Sequence, residues 1–171
     1  MDWLQIVLRI VHIGSGVLWA GGAAYFFFYI EPTLNKLGPA AEPFVDEIVN
    51  KKKMPMFFAV VATLTVIGGV SMYWRDSQSI ADFTTSPMGI ALGLGGICAI
   101  LAWLFGMTLL TPAVKRVGAL GSQMKAAGGP PPAELMAQMH AAQERVRMIG
   151  TIDLVLIGLA VLGMATARYL G

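Results

Sequence analysis

Residues 87–110 read PMGIALGLGGICAILAWLFGMTLL, an unbroken run without a charged side chain. A transmembrane helix needs about 20 mostly apolar residues to cross a hydrocarbon core about 30 Å thick. A helix on the surface of a water-soluble domain would show a polar face, and this run has none. Three further stretches outside it read the same way. One runs from Trp3 to Ile30 and is closed by Glu31-Pro32. One runs from Pro55 to Trp74, with proline in the first turn, where a missing N–H costs little. The last runs from Met148 to Leu170. The expected fold is all-α: one membrane domain, 1–171, built as a four-helix bundle.

The composition agrees. Of 171 residues, 56% belong to the apolar set and 13% are charged. Soluble domains carry about 25% charged residues, and so few charges cannot cover a water-facing surface. The net charge of +2 gives no footprint for nucleic acid. The expected partner is the lipid bilayer. Cys98 is the single cysteine, so no disulfide closes within the chain. The apolar N-terminal stretch lacks a basic leader and is too long for a typical signal core. It is expected to remain as the first helix.

Loop charge sets the expected orientation. The loop 31–53 carries Lys36, Lys51, Lys52 and Lys53. The segment 111–147 carries Lys115, Arg116, Lys125, Arg145 and Arg147. Only Arg75 and Arg168 stand on the opposite side. Excess lysine and arginine stays in the cytoplasm. Both termini are therefore expected outside, with Trp3, Trp74 and Tyr169 at the outer interface. Within 111–147 the breaker Gly128-Gly129-Pro130-Pro131-Pro132 separates two helical arms. The expectation is a cytoplasmic helical hairpin between the third and fourth helices. Small residues recur every fourth position at Gly16, Ala20 and Ala24, and at Gly89 and Gly93. Such faces allow close helix contact in lipid and also suit a homodimer.

Few residues could carry chemistry. Arg9 and His12 lie inside the first helix, where ionisable groups are costly and mark function. Helical spacing puts Arg9, His12, Ser15 or Gly16, Trp19 and Phe26 on one face. His12 sits about 10–15 Å below the outer end. Counting inward, Gly68-Gly69, Gly95-Gly96 and Gly163-Met164 fall at its level. Glycines there leave room for a flat ligand or permit tight helix contact. A haem b needs an axial donor, space and basic groups for its propionates. His12 can ligate, Gly68, Gly69 and Gly96 can give space, and Arg9 can meet a propionate. Met164 or Met72 can be a sixth ligand. The alternative is that His12 donates to a carbonyl or hydroxyl between packed helices.

Asp153 is the other charge within these stretches. It reads as an interfacial carboxylate favoured by the helix dipole. The alternatives are a pair with a basic residue of the loop or with Tyr25, and a proton relay, which no second acid nearby supports. His140, with Met124, Met136 and Met139, reads as a helix interface with a His140–Glu144 pair rather than a copper site. Phosphate loops, hydrolase triads and zinc spacings are absent from the sequence.

The string Leu8-Arg9-Ile10-Val11-His12-Ile13-Gly14-Ser15-Gly16-Val17-Leu18-Trp19-Ala20-Gly21-Gly22 resembles a first-helix pattern, R-x2-H-x6-W-x-G. That pattern is similar to small bacterial membrane families: HemJ-type protoporphyrinogen oxidases, the copper resistance protein D group and the membrane domain of urate-oxidase-like proteins. The closing residues 164–169, MATARY, resemble the same group. The resemblance implies a bacterial cytoplasmic (inner) membrane location and a b-type haem or a metal at His12. Trp19 and Gly21 match the pattern without an assigned role. HemJ-type proteins carry a functional lysine in a later helix, and none is present here, which argues against protoporphyrinogen oxidation. The copper group is larger and richer in histidine. Only His12 lies in the apolar segments, so bis-histidine ligation within one chain is excluded.

Three functions stay open. One is a haem-b-binding redox or electron-transfer protein. The second is a non-catalytic accessory or assembly subunit of a larger membrane complex. The third is a transporter, which the scarcity of polar residues in the apolar runs opposes.

Overall fold

A computed structural model describes residues 2–127 and 129–170. The described residues form helices, turns and short connections, with no strand. Four helices are long and apolar enough to cross a membrane: α1 Trp3–Leu37, α2 Met54–Ser79, α3 Pro87–Ala126 and α4 Ala133–Ala167. The chain is an all-helical membrane bundle. Its outer surface is apolar: Ile10, Val17, Ile67, Leu94 and Leu162 are all more than half exposed. In water that surface would be unstable, and in lipid it is solvated.

One of these helices runs further than the sequence suggests. Glu31-Pro32 was expected to end the first, yet α1 continues to Leu37. Proline lacks an N–H, and its ring collides with the carbonyl four residues back. The helix accommodates this by widening over Phe26–Ile30, where the Glu31 N–H donates to the Phe26 carbonyl, five residues back. The same device recurs before Pro112. There the Thr111 N–H donates to Gly106, and the Thr111 hydroxyl donates to the same carbonyl at 2.8 Å. Such π-turns absorb an inserted strain without ending the helix.

The fourth helix extends before the apolar run 148–170, as the expected hairpin arm requires. It is continuous from Ala133 and ends at Ala167. The arms 111–126 and 133–147 pack as an antiparallel hairpin beyond the apolar zone. Leu120 and Ala142 are buried between them, and Met139 reaches Gly121. Lys125 donates to Glu42 at 2.8 Å, tying this hairpin to the α1–α2 connection. His140 and Glu144 are both exposed.

Packing is closest within two pairs, α1 with α2 and α3 with α4. Glycines explain this closeness. A Cβ at Gly163 would lie 3.2 Å from the Ala91 carbonyl, and one at Gly95 would lie 3.2 Å from the Ala160 carbonyl. One apolar core joins the pairs, made of Trp19, Val61, Ala62, Ala99, Ala102, Ile157 and Ala160. Trp3, Trp74 and Tyr169 are exposed at the end opposite the hairpin. At that end Arg75 Nη2 donates to Asp2 at 2.6 Å, and Arg75 Nε donates to Gln5 Oε1 at 3.2 Å.

Candidate functional site around His12

Between α1 and α2 lies a small polar cluster in otherwise apolar surroundings. His12 Nδ1 is 2.7 Å from the Thr65 carbonyl oxygen. A carbonyl can only accept, so Nδ1 carries the hydrogen, and in a neutral ring Nε2 carries the lone pair. The Ser15 hydroxyl donates to the Val11 carbonyl at 2.6 Å. Its hydrogen being used, Ser15 accepts from the Thr65 hydroxyl at 2.8 Å, with the Val61 carbonyl 2.7 Å from the same hydroxyl. Ser15 and Thr65 are buried, and His12 is half-buried.

Two glycines of α2 let the imidazole lie against the helix. A Cβ at Gly69 would be 2.9 Å from His12 Cε1 and 3.1 Å from Nδ1. A Cβ at Gly68 would be 3.1 Å from His12 Cβ and 3.4 Å from the Leu8 carbonyl oxygen. The helices therefore approach backbone to backbone here. Gly16 faces the Thr65 methyl group, and a Cβ at Gly16 would lie 3.5 Å from it.

Of the residues singled out from sequence, this arrangement brings together His12, Gly68 and Gly69. The space at Gly68-Gly69 is filled by the imidazole itself. Arg9 is exposed on α1 rather than inside with His12. Trp19 is buried in the apolar core, 7% exposed, beside residues of all three other helices. Met164 packs on Gly95, its Cγ 3.4 Å from that glycine's Cβ position. At Gly96 a side chain would meet nothing within 4 Å. Met72 is half-buried on α2.

The donor chemistry fits one axial bond to a haem. A ligating histidine commonly donates its other ring N–H to a backbone carbonyl, which fixes the ring and raises the basicity of the ligating nitrogen. His12 and Thr65 have that relationship. The imidazole fills the space at Gly68-Gly69, so a porphyrin has no room there. A bare metal site is less well served: among the described residues, no group of three histidine, cysteine or acidic side chains converges.

Sequence reading missed Thr65, Ser15 as its acceptor, and the pair Trp103–Thr63. Trp103 Nε1 donates to Thr63 Oγ1 at 3.0 Å, and Thr63 donates to Ala59 at 2.7 Å. The available signal was two threonines, Thr63 and Thr65, inside the otherwise apolar stretch from Met56 to Val70. Asp153 is buried, with neither Tyr25 nor a loop cation as partner. Tyr25 is exposed and stacks on Tyr29 at 5.6 Å.

Protein-family models, curated proteins and solved structures were compared with this chain, and none matches it.

Proposed function

We propose that this chain is a membrane protein that binds b-type haem through His12 and takes part in redox or electron transfer. The supporting observation is the 2.7 Å contact from His12 Nδ1 to the Thr65 carbonyl, which leaves Nε2 as the nitrogen able to ligate. Haem would supply a one-electron couple. The Thr65 carbonyl would hold the imidazole in one orientation. Exposed Arg9, one turn nearer the chain start, suits a propionate at the headgroup level. The resemblance of residues 8–22 to haem-linked membrane families points the same way. Absorbance of full-length protein expressed with ample haem tests the reading. A Soret band that is lost in His12→Ala supports it. No band, or a band unchanged in His12→Ala, rejects it.

A second reading is an accessory subunit of a larger membrane complex or a homodimer. Gly14 and Gly21 favour it: both are exposed on α1, seven residues apart, with open space at their Cβ positions. Small residues so placed admit another helix at close range. Co-purification of further membrane subunits in mild detergent supports this reading, and a lone stable monomer opposes it.

The charge asymmetry supports an orientation with both termini outside and the hairpin inside, and the resemblance of residues 8–22 supports a bacterial cytoplasmic (inner) membrane. An Ala81→Cys variant in a Cys98→Ala background tests the sidedness. Labelling from outside intact cells agrees with it, and labelling only after permeabilisation inverts it.

A further inference from the structure

Ile149, Asp153, Ile157 and Ala160 are all buried on α4, following its helical period. Three are apolar, as an inward face requires. Asp153 is only 7% exposed. Its Oδ1 is fully buried and has no hydrogen-bond partner among the described residues. Buried polar atoms are nearly always partnered, so such an atom calls for a physical explanation.

The charges around it do not supply one. On α4 the nearest cation in sequence is Arg147, six residues away and exposed. On α1, Glu31 stands at the hairpin end and Arg9 near the opposite end. Between Met54 and Trp74 of α2, and between Pro87 and Leu110 of α3, the chain has no charged residue. An ionised carboxylate without donors in a lipid-embedded bundle is costly, and a titratable group so placed takes up a proton instead.

We propose that Asp153 is a proton-binding site inside the bundle, held as a neutral carboxylic acid at neutral pH. A hydronium ion from the aqueous side gives its proton to the carboxylate. One O–H bond of hydronium breaks, one O–H bond forms on Asp153, a water molecule is left, and no electron is transferred. The site is independent of His12 and of any cofactor.

Infrared spectra of the full-length protein in lipid vesicles test this. The probe is wild-type chain carrying aspartate labelled with carbon-13 at the side-chain carboxyl. At neutral pH a carboxylic-acid C=O stretch is expected that shifts with the label and shifts again in heavy water. Asp2, Asp46, Asp76 and Asp82 are not buried, so the comparison with Asp153→Asn assigns the band. The acid band should vanish in Asp153→Asn. Absence of any aspartate-derived acid band in the wild type overturns the proposal, whether or not the variant folds. So does an acid band that survives in Asp153→Asn.

Discussion

The ring nitrogen Nδ1 of His12 lies 2.7 Å from the backbone carbonyl oxygen of Thr65, across the α1–α2 interface. That carbonyl belongs to a helix, where it already serves a backbone N–H four residues on. The imidazole adds a second donor to the same oxygen and pins the two helices at one level. The Thr65 hydroxyl adds a second tie, to Ser15 at 2.8 Å. In lipid, where apolar surface does not drive helices together, such ties and close packing hold a pair.

Gly69→Ala tests the fit of the ring. The new Cβ would fall 2.9 Å from His12 Cε1, so the imidazole must move. Its hydrogen bond resists that movement. Overpacking of this kind costs about 1–3 kcal/mol. Thermal unfolding in detergent should show the loss. His12→Ala removes the obstructing ring, so the double variant should be less destabilised than the sum of the singles. Strict additivity would mean that ring and glycine do not meet.

Thr65→Val keeps the shape and removes the hydroxyl. Ser15 then loses its donor but keeps its own bond to Val11, and the His12 bond to the backbone persists. The expected cost is therefore modest, about 0.6 kcal/mol and at most about 1.7. Should a Soret band exist, it should survive in Thr65→Val. A cost well above that range would show that the hydroxyl, rather than the carbonyl, positions the ring.

The bundle was legible because lipid exposure leaves a strong trace: four runs of apolar residues with no polar face. The interior was less legible, because inward and lipid-facing positions are both apolar and sequence period cannot separate them. His12 was correctly placed at the level of Gly68 and Gly69, since helix ends fix depth. Whether those glycines open a slot or receive the imidazole depends on helix rotation, which depth does not give. Arg9 shares a face with His12 by helical spacing and is exposed, because spacing alone does not say which part of that face a neighbouring helix covers. Pro32 was read as a stop, because proline usually ends a helix. The wider turn at Phe26–Ile30 that carries α1 past it has no sequence signature of its own.

Trp103→Phe isolates one hydrogen bond between α3 and α2. Phenylalanine keeps an aromatic ring but loses the indole N–H that donates to Thr63 at 3.0 Å. Thr63 keeps its own donation to Ala59, so no donor is stranded. The loss should be about 0.5–1.5 kcal/mol plus the smaller ring's lost contacts. Adding Thr63→Val should cost little more. Full additivity in that cycle would deny the bond.

Acid should loosen the end opposite the hairpin. The Asp2 carboxyl is held below its ordinary value of 3.8, first by the Gln5 backbone N–H and then by Arg75. A lowered folded-state value means the contribution is present above the unfolded carboxylate range and disappears as pH falls through the folded value. Unfolding midpoints should thus be insensitive to Asp2→Asn at acid pH and sensitive to it near neutrality. The effect should be small, because the group is exposed and screened. A wild-type to variant difference that grows on acidification would reverse this sign.

The tightest turn should tolerate least. Ser86 caps α3 by accepting from the Gly89 N–H at 3.0 Å, and its own hydroxyl donates to the Phe83 carbonyl at 2.7 Å. That carbonyl occupies the space a Gly89 side chain would need, so Gly89→Ala must displace backbone rather than a flexible tip. Phe83 cannot readily yield. It is 2% exposed, and its ring packs edge-on to Tyr73 at 5.3 Å. Tyr73 in turn rests against Gly93, where a Cβ would be 3.0 Å from the phenol oxygen. One methyl group therefore pushes on a chain of contacts running from the turn into α2 and back to α3. Destabilisation should be at or above the usual overpacking range of about 1–3 kcal/mol. Limited proteolysis of vesicle-inserted protein should show faster cleavage between Ile80 and Ser86 than in wild type. Gly96→Ala, at a site with open space, serves as the control and should leave both stability and cleavage unchanged. Equal tolerance of the two substitutions would mean that the 80–86 turn is not packed as described.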